Sequence, residues 1–298
     1  MTGTGPARPT AQRSGDSGVA VTGLTLSIAG HQILDGVDLQ VPLGQVSGLA
    51  GESGSGKTMT GMTMLGLQPR TAKVGGSIRF GGTELVGMPD RALNRLRGNK
   101  IAIVFQDPTA SLHPMLSIGR QLTDHLRYHL KVSRVESRSH ALQLLSQVRV
   151  PDPADALGRY PHQFSGGQLQ RVAIASALAC EPSVLIADEP TTALDVTVQA
   201  GILRLLRQLC DDLGIGIVLI THDLAVMSAL ADTVAVMRAG KVVEHGNRYD
   251  VIRHPQHPYT RSLIEALPDH QPIVAATAAA ASDVAALPAS DIGPEAQP

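Results

Sequence analysis

The residues Gly51-Glu52-Ser53-Gly54-Ser55-Gly56-Lys57-Thr58 constrain what this chain can fold into more than any other stretch. They fit the pattern G-x-x-x-x-G-K-[ST], a loop that wraps phosphate groups in its own backbone amides. Glycines are required because several N–H groups must turn inward on a polyanion, in conformations and at approaches that a Cβ would block. Such a loop must leave a strand and enter a helix. Gln45-Val46-Ser47-Gly48-Leu49-Ala50 is short and apolar, as a buried strand is, and residues 57–67 contain no proline. The helix they predict would turn its positive N-terminal end toward the phosphates. Lys57 then lies along the β- and γ-phosphates, and the Thr58 hydroxyl is placed to ligate Mg²⁺.

The 298 residues, 43% of them hydrophobic, suffice for one large domain with a subdomain, or for two domains. A formal net charge of -1 provides no global basic field, so nucleic acid is not expected as a partner. No apolar run approaches the roughly 18 residues of a membrane span. The first 17 residues lack the charged-then-apolar pattern of a secretion signal. Cys180 and Cys210 have no paired spacing and read as core thiols of a reducing compartment, so the chain is expected to be cytoplasmic. Docking on a membrane protein remains open to it, because that needs only a groove for another chain's helix.

Residues 1–18 are rich in Gly, Pro, Thr, Ser and Arg and are expected to form a disordered arm. Two apolar stretches flanking Ala29-Gly30-His31 read as an antiparallel pair laid beside the loop's strand, and Ser77-Ile78-Arg79-Phe80 before Gly81-Gly82 suggests a second hairpin. Lys100-Ile101-Ala102-Ile103-Val104-Phe105 is a buried strand that runs into Gln106-Asp107-Pro108. Beyond it the period becomes helical, with Ile118, Leu122, Leu126 and Leu130 every fourth residue and a capping box at Ser133-Arg134-Val135-Glu136. Residues 107–164 are therefore expected to be a helical subdomain inserted into a sheet domain.

Another helix follows Ser165-Gly166-Gly167-Gln168. Ser183-Val184-Leu185-Ile186-Ala187 is a strand ending on Asp188-Glu189, and residues 215–220 form a strand ending on Thr221-His222-Asp223. Between them Val198, Ile202, Leu205, Leu206, Leu209 and Leu213 make one apolar helix face, closed by Gly214. Strands alternating with helices specify an α/β fold: a P-loop NTPase core with a mainly parallel sheet, an N-terminal antiparallel β subdomain and the helical insert. Ligands gather at the carboxyl ends of such strands. A proline- and histidine-rich segment spans 245–268, and the Ala/Pro-rich residues 271–298 are expected to be disordered.

The polar residues at those strand ends suit phosphate chemistry. Asp188 can hold Mg²⁺ at the mouth of the phosphate site, and Glu189 can orient or deprotonate the attacking water. Gln106 offers an amide to metal and water where the strand gives way to the insert. His222 can contact a γ-phosphate. Ser165-Gly166-Gly167-Gln168 is a second donor-rich turn before a helix.

In this order the residues resemble the ATP-binding subunits of ABC transporters, over about residues 19–270. The P-loop, Gln106 as Q-loop, Phe164-Ser165-Gly166-Gly167-Gln168 as signature, Val184 to Glu189 as Walker B, Ala193-Leu194-Asp195 as D-loop and His222 as switch histidine all stand in family order. The resemblance implies ATP and Mg²⁺ as cofactors, with metal contacts from Thr58, Gln106 and Asp188 and catalysis by Glu189, His222, Gln106 and Lys57. Nucleotide contacts would come from the whole P-loop, from Thr60 and from Ile28. Ser165, Gly166, Gly167 and Gln168 would contact the nucleotide of a second ABC ATPase subunit, in a homo- or heterodimer with two sandwiched ATP molecules.

Two stretches resemble the oligopeptide, dipeptide and nickel importer branch: the run from Phe105 through Gln106-Asp107-Pro108 to His113-Pro114, and His257-Pro258-Tyr259-Thr260-Arg261. That branch implies two transmembrane permease partners, an indirect substrate-binding protein and a peripheral place on the cytoplasmic face of the membrane. Many peptide-importing relatives continue into a cysteine cluster able to hold an iron–sulfur centre; here no cysteine follows Cys210. Relatives also stack an aromatic ring on adenine at the position of Ile28, with His31 close enough to stack instead. His254-Pro255-Gln256-His257 reads as a surface loop. The rival class, a soluble ABC ATPase acting on DNA or ribosomes, generally needs a long coiled-coil insert or a second nucleotide-binding half, and residues 106–165 are too short for the former.

Overall fold

The structure is a computed structural model that describes residues 18–192 and 194–266. The expectations for residues 1–17 and 271–298, and for Ala193, fall outside them.

Strands β1 (Val19–Ile28) and β2 (His31–Val41) open the described chain as an antiparallel pair, with Ile28 opposite His31 at the turn. β3 (Val46–Ala50) leads through the glycine-rich loop into α1 (Lys57–Met64). β4 (Lys73–Phe80) and β5 (Thr83–Glu84) form the second hairpin, followed by α2 (Asp90–Leu96) and β6 (Ile101–Val104). The insert contains α3 (Ile118–Leu130), α4 (Arg134–Gln147) and α5 (Pro153–Ala156). After it come α6 (Gly166–Leu178), β7 (Val184–Asp188), α7 (Val196–Leu213), β8 (Gly216–Thr221) and α8 (Leu224–Leu230). β9 (Thr233–Arg238), β10 (Lys241–Asn247), α9 (Arg248–Arg253) and α10 (Pro258–Glu265) complete it.

The main sheet has the order β10-β9-β3-β8-β7-β6, with β10 antiparallel to β9 and every other pairing parallel. The first hairpin does not lie beside β3, as its sequence position suggested. It joins β4 and β5 in a separate sheet of order β2-β1-β4-β5. The burial patterns show why. All five residues of β3 are buried, so it needs cover on both faces and a strand on each side, which β8 and β9 supply. β1 buries Val19, Val21, Leu24 and Leu26 along one face only, so it suits a half-covered antiparallel sheet packed against the main one.

Alternate residues of the central strands enter two cores. Ile186, Val218 and Ile220 pack with α1 and the antiparallel sheet, while Leu185, Ala187, Ile217 and Leu219 pack with α6, α7, α8 and the helical insert. Ile118, Leu122 and Leu126 are buried in that second core, whereas Leu130 and, at the end of α7, Leu213 are exposed where those helices run past it; the capping box at Ser133 and Glu136 opens α4 as the sequence indicated. Both cysteines are buried free thiols, and burial pushes each up to about 11. No helix among the described residues is long and apolar enough to cross a membrane.

Candidate active site

The carboxyl ends of β3, β7 and β8 converge on the glycine-rich loop. Ala50 pairs with Thr221 and Asp188 with Ile220, so the loop, the Asp188-Glu189 turn and His222 lie side by side at one edge of the sheet. Val104 pairs with Ala187, so Gln106 leaves the sheet at the same edge, with its side chain exposed.

Inside the loop, Lys57 Nζ donates to the carbonyls of Gly51 at 2.7 Å and Glu52 at 2.8 Å, which folds the lysine back across the loop's mouth. Two of the glycines are obligatory. Gly51 has φ 144° and a Cβ there would sit 2.2 Å from the Met237 carbonyl oxygen. Gly56 has φ 108° and a Cβ would reach 2.7 Å from Leu34 Cδ2. Behind the loop, Gly240 donates its N–H to the Ser55 carbonyl at 2.9 Å, so the β9–β10 turn is tied to it. Thr60 is fully buried and donates to the Gly56 carbonyl at 3.0 Å; its hydroxyl supports the loop from within.

The site fits a phosphate ligand and a hard cation. Helix α1 has Gly56 as its N-cap and so no side-chain cap, which leaves its first N–H groups for a ligand. The Ser55 hydroxyl is buried and has no hydrogen-bond partner among the described residues. Thr58 Oγ1 donates to Asp188 Oδ1 at 3.1 Å. That spacing matches adjacent corners of an octahedron with oxygen ligands at about 2.1 Å, as Mg²⁺ demands.

Electrostatics set the roles of the two carboxylates. Burial raises the Asp188 carboxyl above its ordinary value, helped by the neighbouring Glu189 charge and opposed by the Thr58 hydrogen bond and Lys57. Burial would raise Glu189 too, but hydrogen bonds from Thr192 and His222 and the charges of His222 and Lys57 outweigh it and hold this carboxyl low. Thr192 Oγ1 donates to Glu189 Oε2 at 2.6 Å, and His222 Nδ1 lies 2.8 and 3.0 Å from the two carboxylate oxygens. Glu189 is thus ionised at neutral pH. Its backbone adopts φ 48°, which a non-glycine residue avoids, and is secured by its N–H donating to the Ile220 carbonyl at 2.8 Å. Lys57 is lowered by burial, against the pull of Glu189, Asp188 and Glu52.

The structure does not bring the second donor-rich turn to this edge. Ser165 caps α6, its hydroxyl accepting from Gln168 N at 3.4 Å while its own N–H donates to Gln168 Oε1 at 3.2 Å. Among the described residues no hydrogen bond links it to the P-loop. Gly166 is exposed and its space is open except for Leu194, whereas a Cβ at Gly167 would meet Val198 Cγ1 at 2.4 Å. Gly167 is therefore needed for packing α6 on α7, a duty that motif reading missed and that only the α6–α7 contact reveals.

Ile28 and His31 face each other across the end of the first hairpin, whose following residues Ile33 and Leu34 back Gly56. His257 caps α10 and accepts from Tyr259 N at 3.1 Å, so in the His-Pro-Gln-His stretch it has a structural role.

A strand, phosphate loop and helix followed by a carboxylate pair and a strand-end histidine define a nucleotide-hydrolysing P-loop cassette. Residues 34–192 match the ABC transporter family, and residues 243–290 match the oligopeptide/dipeptide transporter C-terminal region. The chain is 48% identical over 80% of its length to a probable peptide ABC transporter ATP-binding protein of Sinorhizobium fredii, covering 72% of that protein. It is 46% identical to the dipeptide transport ATP-binding protein DppD of Bacillus subtilis over 80% of this chain and 71% of that one. With the oligopeptide transport ATP-binding protein OppD of Escherichia coli it shares 43% over 87% of this chain and 78% of that one. A dimeric post-hydrolysis state of the ATP-binding cassette MJ0796 bound to ADP and Pi superposes with a TM-score of 0.69 at 29% identity, covering 77% of this chain and 98% of that one. The chain belongs to the ABC transporter family and is one of its ATPases.

Proposed function

We propose that this ATPase energises a peptide importer, acting as a dimer on the cytoplasmic face of two permease subunits that receive substrate from a binding protein. The observation that carries the reading is the joint match of a cassette and a peptide-transporter C-terminal region in one chain, on a site where Glu189 and His222 stand beside the phosphate loop. Thr58, Asp188 and Gln106 would hold Mg²⁺, which when bound offsets the negative charge of the phosphates. Lys57 leaves its carbonyl partners or shares them to lie along the β- and γ-phosphates. Glu189 takes a hydrogen bond, and in the end a proton, from the water that attacks the terminal phosphorus as the bond to the ADP oxygen breaks. His222 holds Glu189 through Nδ1, so Nε2 is the ring nitrogen for the departing phosphate.

The base of the nucleotide rests on the Ile28–His31 end of the hairpin. The signature at Ser165, Gly166, Gly167 and Gln168 serves the partner's nucleotide, in keeping with the dimeric state of the similar cassette. Replacing Glu189→Gln should leave ATP affinity within about twofold and lower turnover by about 100-fold or more, since only water activation is lost. Steady-state ATPase and equilibrium nucleotide binding of the assembled transporter check it. Turnover at the wild-type level would remove Glu189 from the chemistry.

A further inference from the structure

The second residue of the phosphate loop is held from behind by the far end of the described chain. Glu52 donates its backbone N–H to the Tyr259 hydroxyl at 3.2 Å, across 207 residues of sequence. The same residue's carbonyl accepts from Lys57 at 2.8 Å, while its side chain is exposed. One residue of the loop's first turn is thus fixed through both its backbone groups.

Tyr259 is itself placed with care. It is buried, and the Arg238 guanidinium lies 4.8 Å over its ring. The start of α10 is anchored to the sheet by the Glu244 carboxylate of β10, which accepts from Gln256 N at 2.7 Å and His257 N at 3.1 Å. Position 259 lies outside the cassette match and inside the C-terminal match, so this contact is something the C-terminal region adds to the nucleotide site.

We infer that Tyr259 is a positioning residue for nucleotide binding, its hydroxyl holding the first turn of the phosphate loop in the conformation that aims Lys57. The inference rests on the phosphate reading of the loop. Without the hydroxyl, the Glu52 amide turns to water and the loop samples other conformations. Binding must then recover the competent one, which weakens apparent affinity by the fraction lost. Turnover of the bound state is untouched, because Tyr259 reaches none of the reacting groups.

The test compares wild type with Tyr259→Phe, which keeps the ring under Arg238, and with Lys57→Ala. Expected for Tyr259→Phe is a rise of about three- to tenfold in Kd and KM for ATP, the scale of one lost hydrogen bond, with kcat within about twofold. GTP should weaken by the same factor, since the loop reads phosphates and not the base. Hydrogen exchange should quicken at the Glu52 amide while the melting temperature stays within a few degrees. Unchanged Kd and KM in Tyr259→Phe, beside a large loss in Lys57→Ala, would overturn the inference and leave the site reading intact. A general rise in exchange with a clearly lower melting temperature would make Tyr259 a packing residue and equally overturn it. A wild-type chain that binds no nucleotide would bring down the site reading and the inference together.

Discussion

The phosphate loop and the signature turn look alike in sequence, each a glycine-containing run before a helix, yet their surroundings are opposite. Around the loop, Gly51, Ser55, Gly56 and Lys57 are buried, and ties run to Gly240, to Tyr259 and back from Lys57 onto its own carbonyls. The helix it feeds has no side-chain cap. At the signature, Ser165 and Gly166 are exposed, and Ser165 and Gln168 cap α6 reciprocally. The first end has no side-chain acceptor for its amides; at the second, the Ser165 and Gln168 amides already have one. A turn of the second kind gains less from a phosphate alone, in keeping with the role in trans proposed for it.

The comparison breaks most easily at Lys57. Lys57→Ala should weaken ATP binding by about 10- to 100-fold, the scale of a lost charge-assisted contact, measured by titration of a fluorescent nucleotide. A loss of that size from a signature substitution in the isolated subunit would erase the distinction.

Within the signature, the two glycines should separate. Gly167→Val forces a branched side chain against Val198, which stands 2.4 Å from the first added atom, and should cost about 1–3 kcal/mol in denaturant unfolding. Gly166→Val has only Leu194 at 3.4 Å and should keep stability near wild type while abolishing ATP-dependent dimerisation in a Glu189→Gln background. Equal destabilisation by both would show that the exposed face of the turn is not kept open for a partner.

The smallest effect probes the capping itself. Ser165→Ala removes a hydroxyl that accepts from Gln168 N and should lower stability by about 1 kcal/mol, read from the shift in urea midpoint at constant slope. No change would mean that the turn's donors are as unsatisfied as those of the loop.

The placement of the candidate site was legible because its residues stand at strand ends, where an apolar run stops on a polar group. Asp188, Glu189, His222 and Gln106 are all of this kind, and the parallel order of β3, β8, β7 and β6 gathers them on one edge. The helical insert was equally plain, since a fourfold repeat of leucine and isoleucine has one physical reading. What sequence could not give was which sheet a strand joins. Alternation told that β1 and β2 bury one face, but pairing depends on contacts with β4 about fifty residues away, and nothing local encodes them. The same limit hid the left-handed backbone of Glu189, the packing duty of Gly167 and the reach of Tyr259, each set by a partner distant in the chain.

The core beneath the insert has a consequence for modularity. Ile118, Leu122, Leu126, Leu144 and Leu145 of the insert share one apolar cluster with Leu169 and Val172 of α6 and with Leu185 and Ala187 of β7. The helical insert is thus not a detachable unit of the cassette. A chimera cut at residues 107 and 164 would pair one protein's leucines with another's hollows. Substitutions on the insert's inner face therefore disturb α6 and β7 as well, whereas its outer face can change without touching them.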